Sequence, residues 1–325
     1  MRRRNFIGAL IAGAVVAPLA ARAQQPMPVI GWLGGQSAEL YRDFLAGFHR
    51  GLGETSFVEG RNVAMEFRWA DGDLARLPAF AAELVARNVD LIVAGGGDGP
   101  QSAAKAATSA IPIVATFGKD PVQSGLIAGF ARPGGNMTGV ALLTTEMNVK
   151  GLELLHELVP SAASVAVLLN PRIESYDTYV KAIEAADRAL GTRATIYPVR
   201  TDAEVETAFA RMAERGHGGL LVGSGLFPSS RKSVVALATR HRIPTVYFGR
   251  FYPDLSGLFG FGTDIIDVYR KLGVLAGRIL KGEKPADIPV EQPTTFEFVV
   301  NLKAAQALGI AIPPAILVRA YEVIE

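Results

Sequence analysis

The feature that most constrains this fold is a pair of apolar runs that each end in glycine and that flank one helix. Residues 89–97 form the first run, which stops at three consecutive glycines, and residues 111–118 form the second. The small residues at 102–109 between them are typical of a helix. Continuous apolar runs separated by a helix are typical of parallel strands that are buried on both faces. This region therefore predicts the centre of a parallel α/β sheet.

The same pattern occurs again in the second half of the chain. An apolar run at 219–225 also ends in glycine, and a helical stretch at 231–240 leads to a further run at 243–249. Ile111-Pro112 and Ile243-Pro244 enter the corresponding strands of the two halves. The second half therefore predicts a second sheet of the same construction.

The correspondence extends upstream, where strand–helix–strand patterns begin at Val29 and at Val165. Residues 29–118 and 165–249 thus predict two copies of a β-α-β-α-β unit, each an open parallel sheet with right-handed crossovers. Ligands bind beyond the carboxyl ends of such strands, where glycines let the backbone approach and helix N-termini offer free N–H groups. Two lobes of this kind that face each other predict a ligand cleft that closes by hinge motion.

The first 23 residues have the pattern of a cleavable secretory signal. Arginines at 2–4 precede a short apolar stretch at 7–17, and Ala21-Arg22-Ala23 supplies the small residues of a cleavage site before Gln24. Arg3-Arg4 suits either the Sec or the twin-arginine pathway, so both routes stay open, and an uncleaved membrane anchor is the alternative. The mature protein is therefore predicted to be periplasmic.

The composition excludes several classes of function. Removal of residues 1–23 takes away four arginines and no acid, so 29 basic residues remain against 31 acidic ones and the net charge changes from +2 to −2. No basic face for nucleic acid is expected. The chain has no cysteine, and its four histidines are scattered without metal-ligand spacing. We therefore expect no disulfide, no metal and no cofactor.

The glycine-rich segments do not match the motifs of nucleotide-binding or hydrolytic enzymes. Residues 95–100 lack the spacing of the dinucleotide fingerprint, and no phosphate-binding P-loop motif occurs. Gly223-Ser224-Gly225 lacks the spacing of a nucleophile elbow. The sequence therefore predicts no catalytic residues, and it favours a binding protein over an enzyme.

Several longer motifs of the chain resemble those of one protein family. These motifs are Gly60-Arg61-Asn62-Val63, Asp90-Leu91-Ile92-Val93-Ala94, Ile111-Pro112-Ile113-Val114, Asp120-Pro121-Val122, residues 132–140, residues 280–294 and Asn301-Leu302-Lys303-Ala304-Ala305. Over essentially its mature length the chain is similar to the ABC-transporter substrate-binding proteins that include tryptophan and tyrosine uptake receptors. The resemblance implies the type I periplasmic binding protein fold, an α/β fold in which two Rossmann-like lobes with parallel sheets are joined by three crossover strands.

The repeat and the resemblance together predict how the chain is divided. We expect a signal peptide at 1–23, a first lobe of residues 27–142 plus 262–284, and a second lobe of residues 143–261 plus 285–325. The resemblance implies a small ligand that is aromatic or amino-acid-like, and an ABC permease of the inner membrane as the partner. We expect a monomer.

Candidate ligand contacts follow from the strand ends. They are Gly34, Gly35, Gln36, Gly97, Asp98, Phe117 and Asp120 in the first lobe, with Asn170, Ser224, Tyr247, Phe248 and Asp264 beyond it. Phe117 and Phe248 occupy matching places and could stack on a flat ligand, with core packing as the alternative for each aromatic residue. The resemblance implies that Asp264 can hold a ligand amine, whereas a helix N-cap is the alternative for Asp98 and Asp264.

One motif departs from the family that the chain resembles. Similar proteins usually carry Gly-Thr-Pro where this chain has Gly97-Asp98-Gly99-Pro100. An acid or a bare glycine thus replaces a hydroxyl that suits a ligand carboxylate, which puts an α-amino-acid ligand in question.

The function predicted first is a solute receptor that closes on a small organic molecule and presents the closed form to an ABC permease. Two alternatives stay open from the sequence. The first is a ligand-sensing partner of a membrane signalling protein, and the second is a periplasmic α/β enzyme.

Overall fold

The apolar runs form two parallel sheets in a computed structural model that describes residues 27–173, 175–226, 228–293 and 296–325. The predicted signal peptide at 1–23 lies outside the described residues. In the described part of the chain, no helix combines the length and the apolar character that are needed to cross a membrane.

The first sheet is built from the first five strands of the described chain. The elements in order are β1 (Val29–Gly34), α1 (Arg42–Glu54), β2 (Ala64–Trp69), α2 (Leu77–Ala86), β3 (Leu91–Gly95), α3 (Asp98–Ala107), β4 (Ile113–Phe117) and β5 (Met137–Ala141). All pairings are parallel, in the order β2-β1-β3-β4-β5. Every residue of β3 and β4 is buried, because helices cover both faces of the sheet.

The second sheet contains the seven strands that follow in the described chain. The elements in order are α4 (Thr144–Leu158), β6 (Val165–Leu169), α5 (Tyr176–Leu190), β7 (Ala194–Pro198), α6 (Asp202–Arg215), β8 (Leu220–Val222), α7 (Arg231–Arg240), β9 (Thr245–Phe248), β10 (Phe259–Thr263), α8 (Ile265–Leu280), β11 (Phe296–Asn301), α9 (Leu302–Leu308), α10 (Pro314–Leu317) and β12 (Glu322–Ile324). The strand order is β12-β11-β10-β9-β8-β6-β7, and only the β10–β11 pair of this described sheet is antiparallel.

The strand orders confirm the duplication that the sequence predicts. The order β2-β1-β3-β4-β5 of the first sheet is repeated as β7-β6-β8-β9-β10 in the second. The predicted fold class is therefore confirmed: the protein is an α/β protein of two Rossmann-like lobes. Strand β2 lies at the edge of the first sheet, and all six of its residues are only half-buried.

Helix α8 belongs to the first lobe although it follows the second sheet in the chain. Tyr269 and Leu272 of this helix share one core with Trp32 and Phe48 of the N-terminal half. The backbones of α1 and α8 touch, because glycines face each other where the helices cross. A Cβ atom at Gly51 would overlap the Arg270 carbonyl group, whose carbon would lie 2.7 Å away.

The chain crosses between the lobes three times. The crossings lie between β5 and α4, between β10 and α8, and between Glu291 and β11. Two predicted boundaries need correction. Residues 262–263 are part of β10 and so lie in the second sheet. Residues 285–291 pack on the first lobe, because Val290 is buried in its core and Glu291 pairs with β5 through its backbone.

Candidate ligand-binding site

A cleft of about 1080 Å³ lies between the lobes at the carboxyl ends of both sheets. Its first wall includes residues that follow β1, β3 and β4, and its second wall includes residues that follow β6, β8 and β9. Parallel sheets bind ligands at this edge, and clefts for small organic molecules have volumes of this order. The position and the size of the cleft therefore suit a small organic ligand.

The turn after β3 shapes the first wall and depends on glycine. Gly96 and Gly97 have φ angles of 92° and 105°, which L side chains rarely adopt. A Cβ atom at Gly96 would also collide with Tyr41, because its ring carbon Cζ would lie 2.6 Å away. The Tyr41 hydroxyl donates a hydrogen bond of 2.8 Å to the Gly95 carbonyl oxygen, which fixes the end of the strand. The backbone of this turn thus lines the cleft without side chains in the way.

Asp98 is the first residue of α3, and it lines the cleft. Its Oδ1 atom accepts a hydrogen bond of 3.2 Å from the Gly118 N–H and another of 3.2 Å from Nε2 of Gln101. Its Oδ2 atom accepts a hydrogen bond from the Ser175 hydroxyl of the second lobe. Asp98 therefore has a fixed position and joins the two walls.

Further contacts hold the lobes together beside the cleft. The Thr144 hydroxyl donates a hydrogen bond of 2.8 Å to the Gly118 carbonyl oxygen of the first lobe and also contacts the Tyr179 hydroxyl of its own lobe. Burial, with a smaller contribution from the Asp98 charge, raises the pKa of Tyr179, so that this hydroxyl keeps its proton. The rings of Phe44 and Phe251 approach to 6.2 Å between centroids from opposite lobes. These contacts define a closed arrangement of the lobes.

Two asparagines organise the second wall. Nδ2 of Asn148 donates a hydrogen bond of 2.8 Å to the Ser224 hydroxyl, and the Ser224 N–H donates one of 2.9 Å to Oδ1 of Asn148. Asn170 donates a hydrogen bond of 3.2 Å to the Gly225 carbonyl oxygen. The loops after β6 and β8 are therefore held to each other and to α4.

The aromatic part of the cleft lies after β9. Phe248, Phe251 and Tyr252 line this region, and the guanidinium carbon of Arg231 lies 4.6 Å from the centre of the Phe251 ring. Tyr252 stacks on the buried ring of Tyr247 with centroids 4.6 Å apart. Burial raises the pKa of Tyr252 to about 12, so it stays a neutral phenol at physiological pH. This region offers apolar ring faces beside a fixed positive charge.

The fold, the repeated lobes and the cleft agree with what known proteins show. A family model described as ABC transporter substrate binding protein matches residues 36–324. The chain belongs to this family. Its members are binding proteins that take up a small molecule and work with an ABC permease, so the enzyme and signalling alternatives are not favoured.

Individual relatives of this substrate-binding protein have also been characterised. A tyrosine-binding protein of Clostridioides difficile (strain R20291) is 27% identical over 263 residues, which covers 81% of this chain and 75% of the relative. A Streptococcus pneumoniae ABC domain solved in complex with L-Trp is 26% identical, with a TM-score of 0.81, and the match covers 91% of this chain and 99% of the other. The type I periplasmic binding fold is thereby confirmed.

A third comparison concerns a ligand-free structure. The ligand-free, open structure of a substrate-binding protein from Clostridium difficile is also 26% identical, and the match covers 92% of this chain and 99% of that one. Its TM-score is only 0.67. The present structure as a whole is therefore more similar to the structure solved with L-Trp than to this ligand-free, open one.

Half of the predicted site residues of this substrate-binding protein line the cleft. They are Gln36, Gly97, Asp98, Asn170, Ser224 and Phe248. Together they represent the ends of β1, β3, β6, β8 and β9, so the structure brings together the strand ends that the sequence indicates.

The other six predicted residues do not line the cleft. They are Gly34, Gly35, Phe117, Asp120, Tyr247 and Asp264. Phe117 and Tyr247 are each 1% exposed and pack in the cores of their lobes, so Phe117 and Phe248 do not form the expected pair of stacking walls. Gly34 lies against the Trp69 ring, and Gly35 lies against the Gly96 backbone.

The two remaining aspartates have local roles instead. Asp120 accepts hydrogen bonds of 2.8 and 3.1 Å from the N–H groups of Val122 and Gln123 in its own turn. Asp264 accepts one of 3.0 Å from the Asp267 N–H and so caps α8, which was the alternative for this residue. Neither residue lines the cleft.

Sequence reasoning missed several residues that line the cleft. They are Phe44, Thr144, Ser175, Tyr179, Arg172 and Arg231. Thr144 and Ser175 could be assigned to the cleft only from the structure, because their hydrogen-bond partners lie far away in the sequence. Arg231 could have been found from its place at the start of a predicted helix that follows a strand end.

Proposed function

We propose that this protein is exported through the signal at residues 1–23 and acts in the periplasm as a monomeric receptor for a small aromatic or amino-acid-like molecule. The observation that carries the proposal is the cleft of about 1080 Å³ between the carboxyl ends of the two sheets. The ligands in the names of the tyrosine-binding relative and the L-Trp complex support the ligand class.

Closure of the lobes explains how such a receptor reports its ligand. The lobes are joined by three chain crossings, which permit a hinge motion while they keep the walls in register. A ligand that touches both walls binds the closed form better than the open form, so it shifts the population toward closure. A permease that recognises the closed form is then coupled to occupancy of the cleft.

The first test is a thermal-shift screen of the mature protein against a metabolite library that contains aromatic amino acids, amines and acids. A ligand at 100 times its dissociation constant adds about 2.7 kcal/mol to the free energy of unfolding, which is easily detected. Hits are then measured by calorimetry on wild type and on the cleft variant Phe248→Ala. Failure of every compound to shift the unfolding temperature would contradict a receptor for this class of ligand.

Export is tested separately, with the full-length chain expressed in a Gram-negative host. We expect the periplasmic fraction to hold a chain that begins at Gln24, and size-exclusion chromatography to give the mass of one chain. Replacement of Arg3 and Arg4 by lysine should block export only if the twin-arginine pathway is used. Retention of the full-length chain in the membrane would instead indicate an uncleaved anchor.

A further inference from the structure

The charged residues of the cleft are distributed unequally between the two walls. Among the described residues that line the cleft, the charged residues of the first lobe are all acidic: Asp71, Asp73 and Asp98. The charged residues of the second lobe are three arginines, Arg172, Arg200 and Arg231, and one acid, Asp202. A ligand that spans the cleft therefore meets negative charge on one side and mainly positive charge on the other.

Most of the acids on the first wall already have local partners. Asp71 forms an ion pair of 3.1 Å with Arg76, and Asp73 accepts a hydrogen bond of 3.2 Å from the Ala75 N–H. Asp98 differs from both, because Asp71 and Asp73 are exposed whereas Asp98 is half-buried and forms no ion pair with any residue that the structure describes. Its hydrogen-bond donors are a backbone N–H, a side-chain amide and a hydroxyl, all of them neutral. It therefore presents an uncompensated negative charge in a half-buried position of the cleft.

A ligand group beside Asp98 has to match this charge. A carboxylate there would be repelled at short range in surroundings that screen charge poorly, whereas a protonated amine would complete an ion pair. On the second wall, Arg231 is held over the Phe251 ring and lines the same cleft as Arg172. An acidic group of the ligand is therefore favoured on that side.

We propose that the cleft binds a dipolar small molecule in one orientation, with a protonated amine against Asp98 and an acidic group toward Arg172 and Arg231. The proposal rests on the proposed function and makes Asp98 the residue that selects the ligand. It moves the amine site from Asp264, where the resemblance to the family implied it, to the first turn of α3.

The test uses compounds in matched sets of amino acid, amine and acid on one scaffold. Examples are L-tryptophan, tryptamine and indole-3-propionate, or L-tyrosine, tyramine and 4-hydroxyphenylpropionate, within the same metabolite library. Binding is measured by calorimetry on wild type, on Asp98→Asn, and on Asp120→Asn as the matched control outside the cleft. Asparagine can still accept the Gly118 hydrogen bond and can donate to Ser175, so Asp98→Asn keeps the local structure.

We expect wild type to bind the amino acid and the amine of a set more tightly than the acid. Asp98→Asn should weaken binding of the amine at least about tenfold, because the charge-assisted hydrogen bond between the ligand amine and Asp98 is lost. The preference of the protein for the amine over the matching acid should therefore become smaller or reverse. Asp120→Asn should leave all affinities unchanged. Arg172→Gln and Arg231→Gln should weaken binding of the amino acid more than binding of the matching amine, because only the amino acid has an acidic group to place beside these arginines. This difference shows the orientation of the ligand in the cleft.

The outcomes separate this proposal from the receptor function. An acid that binds wild type as tightly as its matching amine, or an amine-to-acid preference that Asp98→Asn leaves unchanged, overturns the proposal while the receptor function stands. If Asp98→Asn does not fold, Asp98→Thr is measured in its place and the same preference decides. The absence of any binder in the whole library contradicts the receptor function and the proposal with it.

Discussion

The packing of α1 against α8 can be tested with one methyl group. In Gly51→Ala the new Cβ atom would overlap the Arg270 carbonyl, whose carbon would lie only 2.7 Å away. The overlapping atoms are backbone, so no side-chain rotation relieves the clash and the helices have to separate. Overpacking of this kind lowers the free energy of unfolding by up to about 3 kcal/mol, and the higher helix propensity of alanine offsets about 1 kcal/mol of this loss. The net loss is about 2 kcal/mol, which lowers the unfolding temperature of a chain of this size by roughly 3 °C.

The matched control lies two residues further along the same helix. Gly53 is exposed, and a Cβ atom there would meet nothing within 4 Å. Gly53→Ala should therefore leave the unfolding temperature unchanged or raise it slightly, because alanine stabilises the helix by roughly 0.5 kcal/mol relative to glycine. Both variants are compared with wild type by thermal and urea unfolding. Equal stabilities of the two alanine variants would refute the direct backbone contact between the helices.

Two further predictions concern residues beside the cleft. Asp264→Ala should lower the free energy of unfolding by about 1 kcal/mol, because the cap on the Asp267 N–H is lost, and should leave affinity for the best library compound unchanged. A large loss of affinity at unchanged stability would return this aspartate to the ligand site. Ser175→Ala should raise the Kd for the same compound about fivefold, since the closed form loses the hydrogen bond to Asp98 that joins the two lobes and contributes about 1 kcal/mol. An unaltered Kd in calorimetry would exclude a role of this contact in closure.

Much of the fold follows from local sequence signals. Apolar runs that end in glycine gave the strands, and their repetition gave two lobes with one strand order. The start of α3 was placed at Ser102, whereas the helix begins at Asp98. Gly97, with its positive φ angle, precedes the helix and starts it directly after the turn. The end of the first lobe could not be predicted, because Val290 is buried by residues that lie far away in the sequence.

The candidate site was predictable at the level of strand ends but not of single side chains. On β4, Thr116 lines the cleft and Phe117 lies in the core. Successive residues of a strand point to opposite faces of the sheet, so two neighbours at the end of one strand have different surroundings. Contacts across the lobes, such as that of Ser175 with Asp98, depend on how the lobes meet, which no local pattern encodes.

The position of α8 has a consequence for how the chain folds during its synthesis. Trp32 and Phe48 complete their core only with Tyr269 and Leu272. Five strands of the first sheet thus leave the ribosome long before the helix that covers one of its faces. Until residue 280 has emerged, the surface formed by Trp32 and Phe48 is not covered by α8, so the first lobe stays incomplete while the second is synthesised. An incompletely folded first lobe during synthesis therefore follows from this order of elements, and truncation before α8 would leave both lobes prone to aggregation.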